Sequence, residues 1–280
     1  MKHVILSACL FMACLSPTLG QTTKAPRSTF IDIGLGLDFS NFRDFGTSPL
    51  VYSGAPKHVH LNALSFNKEK DISYGASFNF GNYSSVVGDQ VALAQVKTLA
   101  LYYMHLFEIK AISSDKWNIK AGGQLNTTGN FRINPSLQNA QLGYEVFVNI
   151  MGSAKVTLDL SRESEQSKKF LFIKYTAKPR KRDLSYNLNV GIVNNNARNG
   201  YNYISQDAVL NDAGLFKGYE INSFSGFRMS SQLAYTSHLR SSNNAFRYAY
   251  SWDMYKSGED INPFEMAHHT LSFAFLFSIK

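Results

Sequence analysis

The chain has 280 residues, of which 44% are hydrophobic and 17% charged, and it carries a formal net charge of +8 at pH 7. Its mean hydropathy of −0.18 and the lack of an 18-residue uncharged apolar run after the first 20 residues argue against a membrane protein built from helices. The basic residues do not cluster on one predicted helix, so the positive charge gives no support for a nucleic-acid partner.

The first twenty residues have the three-part organisation of a secretory signal peptide. A basic start at Lys2 is followed by an apolar run at 4–15 and by small residues up to Gly20. The apolar run is shorter than the roughly 20 residues that a membrane-spanning helix needs. A lipoprotein acylated on Cys14 is the alternative interpretation, but the residues before this cysteine match such a site poorly. We predict a cleaved signal peptide at 1–20 and one mature domain at 21–280.

Both cysteines of the chain, Cys9 and Cys14, lie inside the predicted signal peptide. The mature domain therefore has no disulfide, although small exported domains often depend on disulfides for stability. A closed β-barrel in lipid is another source of stability, because every strand pairs with two neighbours.

The mature sequence alternates apolar and polar residues with a period of two, which is typical of β-strands that have two different faces. Aromatic residues, which favour strands, make up 14% of the chain. The clearest alternating runs are 31–39, 72–80, 117–125, 184–192, 246–254 and 271–279.

Two architectures produce this alternation. A soluble β-sandwich buries its apolar faces between two sheets, whereas a membrane barrel turns them outward to lipid. The runs are about ten residues long, which is the length that crosses a bilayer at a tilt. The polar face is rich in small residues, and aromatic residues recur near strand ends, as an interfacial girdle requires. We therefore predict an all-β fold, an antiparallel up-and-down transmembrane β-barrel.

We predict about twelve strands, an even number as in bacterial barrels. They are placed at 29–40, 57–66, 71–81, 94–107, 116–127, 140–150, 154–162, 168–177, 183–194, 222–236, 245–255 and 268–279. With a periplasmic N-terminus, the outward connections are 41–56, 82–93, 128–139, 163–167, 195–221 and 256–267. The periplasmic connections are 67–70, 108–115, 151–153, 178–182 and 237–244. Long outer loops and short inner turns are typical of barrels, and 163–167 is the exception.

The closing segment 269–280 resembles the C-terminal assembly signal of Gram-negative outer-membrane β-barrel proteins, although it ends on Ile279-Lys280 rather than on an aromatic residue. The mature sequence as a whole resembles that class, and its Asn-rich and aromatic-rich strands resemble proteins from Bacteroidota. The resemblance is architectural and identifies no narrower family. It implies a bacterial outer-membrane location, with outer-membrane lipids and lipopolysaccharide as partners.

Residues on the polar face are predicted to line the barrel lumen. The charged members of this set are Asp32, Asp38, Lys97, Lys120, Glu145, Lys155, Asp159, Arg228, Arg247 and Asp253. In one interpretation, opposite charges pair across a filled interior. In the other, they line a water-filled path and determine its selectivity. We favour the filled or narrow interior.

An enzymatic site of the outer-membrane phospholipase or lipid A deacylase type needs a serine beside a histidine base. The candidate is His238 with Ser241, Ser242 and Asn243, but its spacing differs from that of the phospholipases and a polar turn explains it better. His58 and His60 share one strand face. Together with His105, or with His268 and His269, they are a candidate metal site. Interfacial histidines are the simpler interpretation, and we expect no metal, cofactor or catalytic residue.

Three further segments suggest contacts outside the strands. The apolar loop 43–54 is expected to fold into the barrel mouth, dock a partner or pack on the similar loop 195–221. The basic turn 178–182 is expected to contact anionic headgroups or to be solvated. The sequence thus predicts a non-enzymatic barrel, either a narrow channel for small polar solutes or a structural and partner-binding protein. A lipid-modifying hydrolase and a subunit of an envelope assembly are the alternatives.

Overall fold

A computed structural model describes residues 27–137, 142–199, 219–258 and 262–279. The predicted signal peptide and most of the loop 195–221 lie outside the described residues. Within the described ranges, no helix is long and apolar enough to cross a membrane. The described chain is all-β, and every strand pairing in it is antiparallel.

Twelve strands of the described chain form one sheet, and two more form a separate hairpin. The strands of the sheet are β1 (Ser28–Asp44), β2 (Ser48–Gly54), β3 (Lys57–Phe66), β4 (Lys70–Val87), β5 (Gln90–Glu108), β6 (Trp117–Ile133), β7 (Leu142–Asp159), β10 (Arg182–Asn199), β11 (Tyr219–Ser223), β12 (Phe227–His238), β13 (Ala245–Ser257) and β14 (Phe264–Ile279). The hairpin consists of β8 (Gln166–Phe170) and β9 (Ile173–Ala177).

The sheet closes into a ring through the first and last strands. The β1–β14 ladder runs without a break from Thr29 opposite Ile279 to Asp44 opposite Phe264. Strands β2 and β3 follow each other along one side of β1, and β11 and β12 follow each other along one side of β10. Ten strand positions therefore surround the interior. We call the end with residues 28 and 279 the terminal end, and the end with Asp44 the loop end.

The alternation seen in the sequence separates the outside of the barrel from its inside. On β1, Ile33, Leu35 and Leu37 are each about half or more exposed, whereas the intervening polar positions include the buried Asp32 and Asp38. A β-sandwich would bury these apolar side chains between sheets. Their exposure on a closed ring instead matches the apolar belt of a transmembrane barrel, and the predicted fold class is confirmed.

The region after residue 140 differs from the predicted strands. The predicted turn 151–153 lies in the middle of the single strand β7, where Gly152 pairs with Gly123 on one side and with Val190 on the other. The small residues at this position continue a paired strand rather than form a turn. The predicted strand 168–177 contributes β9 and part of β8 to the separate hairpin. The segment 160–181 connects β7 to β10 at the terminal end, so the predicted outward turn at 163–167 was wrong.

A charge in the apolar belt is expected to destabilise the barrel. Leu35 lies at the middle of the exposed apolar run on β1 and is 67% exposed. Arginine on the lipid face at the bilayer midplane costs about 2–4 kcal/mol, so Leu35→Arg should lower the free energy of unfolding in lipid vesicles by this amount. Urea titration of the reconstituted protein measures the change.

Val86→Arg is the matched control, because Val86 is equally exposed, at 67%, but lies next to the β4–β5 turn at the loop end. It should change the free energy of unfolding by less than about 1 kcal/mol. Equal effects of the two substitutions would contradict the placement of the apolar belt in lipid.

Candidate functional site in the barrel interior

An aromatic cluster fills the interior toward the loop end. Phe42 stacks on Tyr52 with ring centroids 4.9 Å apart, and Phe147 lies 4.8 Å from Tyr255 and 5.6 Å from Phe264. These side chains belong to one buried group, which we call the mouth plug: Phe42, Tyr52, Tyr83, Ala94, Val96, Phe147, Tyr255, Phe264 and Met266. Tyr52 comes from the apolar loop predicted at 43–54, which thus folds into the barrel mouth.

A buried ionic cluster, which we call the mouth cluster, covers the mouth plug at the loop end. The guanidinium of Arg132 donates to Asp44 at 2.5 Å and, through Nε, to Glu145 at 3.0 Å. Arg198 donates to the other oxygen of Asp44 at 2.8 Å. The Arg132 guanidinium also lies 5.3 Å from the ring centroid of Phe264 in the mouth plug. The two carboxylates thus have charged partners in a region that is closed to bulk water.

Asp44 lies five residues beyond Phe39, where the exposed apolar run of β1 ends, and is therefore outside the membrane-spanning part of the strand. Burial by itself raises the pKa of its carboxyl group, but the guanidinium groups of Arg132 and Arg198 outweigh burial and hold the pKa below the usual 3.8. Because folding lowers the pKa of Asp44, its ionised carboxylate stabilises the folded state fully at pH values above the pKa of the unfolded chain. This stabilisation is lost as the pH falls through the pKa of the folded state.

A polar chamber of about 260 Å³ lies between the mouth plug and the terminal end. Arg228 is fully buried at its wall, where it donates to both oxygens of Asp253, at 3.1 and 2.6 Å. The same guanidinium donates to Thr128 at 2.8 Å and to Asn149 at 3.2 Å. Its carbon lies 4.8 Å from the ring centroid of Tyr255. Arg228, which lies on β12, therefore links β12 and its neighbour β13 to β6 and β7.

Histidines line another part of the chamber wall. Nε2 of His58 lies 3.1 Å from Nδ1 of His60, and His60 donates to Asp32 at 3.3 Å. Asp32 also accepts from Arg247 at 2.9 Å. On the other side, Nδ1 of His58 lies 2.6 Å from the side-chain oxygen of Asn79. These contacts form a continuous polar row along the wall.

The polar row continues toward the mouth plug. Asn79 donates to Asp38 at 3.1 Å, and Asp38 accepts from His268 at 2.6 Å and from Thr270 at 3.3 Å. Every carboxylate of the row, including that of Asp32, therefore has at least two hydrogen-bond donors. Such saturation stabilises buried carboxylates and holds their side chains in one geometry.

The terminal end has its own ionic and apolar groups. Asp71 accepts from Lys120 and, at 2.7 Å, from Lys155. Phe30 stacks on Phe66 with ring centroids 5.5 Å apart and packs with the fully buried Leu276. The chamber thus lies between a larger plug at the loop end and a smaller apolar group at the terminal end.

The structure places eight of the ten predicted lumen charges inside the barrel. These eight are Asp32, Asp38, Lys120, Glu145, Lys155, Arg228, Arg247 and Asp253. Lys97 is instead exposed on the outer face, 6.0 Å from the Phe131 ring, because Val96 and Thr98 on either side of it point inward and are buried. Asp159 is exposed at the terminal end of β7, where it accepts from the backbone of Ser161 at 2.7 Å.

Three members of the mouth cluster were missed because the predicted strands ended too early. Asp44, Arg132 and Arg198 fall in segments predicted as outer loops, but they extend β1, β6 and β10 beyond the apolar belt. A signal was present in the sequence, since polar residues continue at alternate positions from Asn130 to Arg132 and from Asn194 to Arg198.

The predicted histidine cluster is divided between the two faces of the wall. His58, His60 and His268 line the chamber. His105 stacks on the exposed Phe107, with ring centroids 4.4 Å apart, and His269 contacts the exposed Tyr250 hydroxyl at 2.7 Å. Neither of these two can complete a site with the others, and no group of three potential metal ligands occurs among the described residues.

The candidate Ser–His site does not assemble around His238. The ring of His238 lies 3.7 Å from Asp183 and packs against Phe30 with ring centroids 5.9 Å apart. Ser242 is used within its own turn, where it accepts from the backbone of Asn244 at 3.3 Å. In the described part of the chain, these contacts place the segment in a polar turn at the terminal end.

Comparison with known proteins identifies the fold and no family. Neither a protein-family model nor a curated protein matches this sequence. Among solved structures, the outer-membrane protease OmpT of Escherichia coli has a TM-score of 0.50 at 7% sequence identity, over 92% of this chain and 99% of that one. Ail of Yersinia pestis has a TM-score of 0.32 at 11% identity, over 90% and 100%. The Pseudomonas putida toluene transporter TodX has a TM-score of 0.31 at 10% identity, over 91% and 90%. At this identity the OmpT likeness establishes the fold, that of an outer-membrane β-barrel, and nothing about activity.

Removing one charge from the mouth cluster should strongly destabilise the loop end. Glu145→Gln leaves the buried Arg132 with one carboxylate, and breaking such a buried pair costs about 3–5 kcal/mol. The change is measured as the loss in free energy of unfolding of the reconstituted protein.

Glu265→Gln is the control, because Glu265 pairs with Arg43 at 2.6 Å while both side chains are about one-third exposed. An exposed pair contributes about 0–1 kcal/mol. A loss for Glu145→Gln no larger than that for Glu265→Gln would contradict the stabilising role of the mouth cluster.

Proposed function

We propose that this chain is an exported barrel protein of the bacterial outer membrane that does not conduct, with a structural or partner-binding role. One observation carries the proposal: side chains from opposite walls meet directly inside the barrel. Asp44 on β1 contacts Arg132 on β6 and Arg198 on β10, although β6 and β10 lie four positions away around the ring in either direction. An open channel would need water between these groups.

The layer beneath also spans the lumen. Asn130 on β6 donates to the hydroxyl of Tyr255 on β13 at 3.0 Å, and Phe147 on β7 packs against Phe264 on β14. The described part of the lumen at the loop end is therefore filled twice, first by paired charges and then by aromatic rings. This supports the filled interior over the water-filled path. Barrels of few strands typically have interiors that side chains can fill.

A narrow channel for small polar solutes is the second candidate function. The chamber favours it, because side chains of both charge signs and uncharged polar side chains surround its volume of about 260 Å³. Such a channel would require the mouth plug to move. A lipid-modifying hydrolase remains an alternative of another class, although no hydrogen bond joins a serine hydroxyl to a histidine ring in the ranges that the structure describes.

We further propose outer-membrane lipids and lipopolysaccharide as the partners of the outer face. Lys97 and the aromatic ring of Phe131 lie at the border of the apolar belt toward the loop end, where an interfacial girdle meets lipid headgroups. Other envelope proteins are the candidate partners in a larger assembly.

Planar-bilayer recording tests the non-conducting barrel. The purified protein should give no steady current, because the mouth plug blocks the lumen. Replacing two rings of the plug, Phe147→Ala with Phe264→Ala, removes the packing between β7 and β14. It also removes the ring on which the guanidinium groups of Arg132 and Arg198 lie, so both layers should loosen and steady single-channel conductance should appear. Steady current through the unmodified protein would overturn the proposal in favour of the narrow channel.

Phe277→Ala is the control for the loss of aromatic volume. Phe277 lies on β14 like Phe264, but its side chain is exposed on the lipid face. This variant should remain non-conducting. Equal conductance of the Phe277 variant and the plug variant would mean that the current comes from a disturbed barrel rather than from an opened lumen.

A further inference from the structure

The hairpin β8–β9 extends the β7–β10 wall beyond the terminal end. Leu160 donates its backbone N–H to Arg182 at 3.0 Å, and Arg162 and Arg180 exchange two backbone hydrogen bonds of 3.0 and 2.9 Å. Beyond this pair of arginines, β8 and β9 form a sheet of their own. Residues 163–165 lead into β8, and residues 178–179 lead out of β9. A closed barrel needs no such extension, since β7 and β10 already pair along the wall.

The tip of this hairpin presents two large apolar side chains to solvent. Leu171 is 70% exposed and Phe172 is 84% exposed. The backbone of Leu171 has φ of 54°, a left-handed conformation that is uncommon for residues other than glycine. A turn that only reversed the chain would be better served by Gly or Asn. The sequence thus places apolar side chains at a position where neither packing nor turn geometry requires them.

Positive charge surrounds the apolar tip in the sequence. The segment 162–182 contains eight lysine and arginine residues and two glutamates, a net charge of +6. The net charge of the whole chain is +8. An apolar tip with basic flanks is the combination that binds to a lipid surface with anionic headgroups, because apolar burial and charge attraction add.

The hairpin leaves the barrel at the edge of the apolar belt. Trp117 pairs with Leu158 on the outer face of the wall and is about half exposed, and Leu160 is exposed just before the hairpin. Tryptophan is enriched at the membrane–water interface. The base of the hairpin is therefore at the level of the headgroups at the terminal end.

We infer that the hairpin β8–β9 is a membrane-surface anchor for the leaflet at the terminal end. Leu171 and Phe172 enter the headgroup region of that leaflet, and the exposed lysines Lys169, Lys178 and Lys181 contact the phosphate groups of anionic phospholipids. This inference rests on the proposed membrane location of the barrel. If the hairpin instead binds an acidic protein, its tip stays in water until that protein is present. The two possibilities therefore predict opposite results for contact between the tip and lipid headgroups.

The test uses the full barrel reconstituted into vesicles, with a fluorophore on Ser167→Cys beside the tip. The two natural cysteines lie in the predicted signal peptide, so the mature protein carries the label at one site. One set of vesicles contains phosphatidylcholine alone, and the other contains in addition about 30% of the anionic lipid phosphatidylglycerol. Both sets contain a lipid with a nitroxide on its headgroup, which quenches a fluorophore that comes close to the headgroups. Quenching should be about twofold stronger in the anionic vesicles and should fall at high salt, which screens charge attraction.

Two variants separate the anchor from general effects. Leu171→Ser with Phe172→Ser should remove the extra quenching, because the apolar tip is lost. Ile109→Ser with Ile112→Ser is the matched control, since these exposed apolar residues lie on the neighbouring β5–β6 turn at the same end. This control should quench like the unmodified protein.

Equal, weak quenching in both kinds of vesicle would overturn the anchor and place the tip in water. Loss of quenching in the control variant to the same extent as in the tip variant would also overturn it. Flotation of the protein together with the vesicles shows whether the barrel itself is inserted in the membrane. A protein that fails to float in every variant would contradict the membrane barrel, whereas a floating protein with an unquenched tip would contradict the anchor alone.

Discussion

Closure of the sheet by β1 and β14 is the constraint on which the rest of this structure depends. A bilayer core offers no water to backbone N–H and C=O groups, so a strand with an open edge there would carry several unsatisfied polar groups. The ladder from Thr29–Ile279 to Asp44–Phe264 removes both edges at once. Because closure brings the two ends of the described sheet together, it also fixes which connections lie at each end of the barrel.

Closure then determines what the interior must contain. Once the apolar side chains face lipid, the polar side chains of the same strands face one another across a small lumen, and charges there need partners. The structure meets this requirement with pairs between strands that are not neighbours in the sheet, such as Lys155 on β7 with Asp71 on β4 and Arg247 on β13 with Asp32 on β1. Aromatic rings occupy the inward positions near the loop end, where Phe42 and Phe264 lie directly beneath the mouth cluster. The side chains that fill the interior therefore also hold the strands of the wall together.

The connection between β7 and β10 does not follow from closure. Its hairpin lies outside the ring, exposes Leu171 and Phe172, and contains most of the excess positive charge of the chain. A barrel with a filled lumen has few surfaces available for specific contacts, and loops at its ends usually provide them. In this chain the segment 48–54 fills the lumen through Tyr52, whereas Leu171 and Phe172 at the opposite end remain exposed.

The sequence by itself determined the wall of the barrel. A strict period of two specifies which residues face outward without any knowledge of the neighbouring strands, so runs such as Ile33, Leu35 and Leu37 indicate lipid contact directly. Only the tertiary structure decided how the interior residues pair, because Asp44 meets Arg132 and Arg198 from 88 and 154 positions away along the chain. It also decided that Gly152 continues a strand and that 168–177 leaves the wall. At Gly152, backbone pairing with a strand on each side outweighs the tendency of glycine to form a turn. The segment 168–177 has no barrel strand beside it, so its two halves form part of a hairpin of their own.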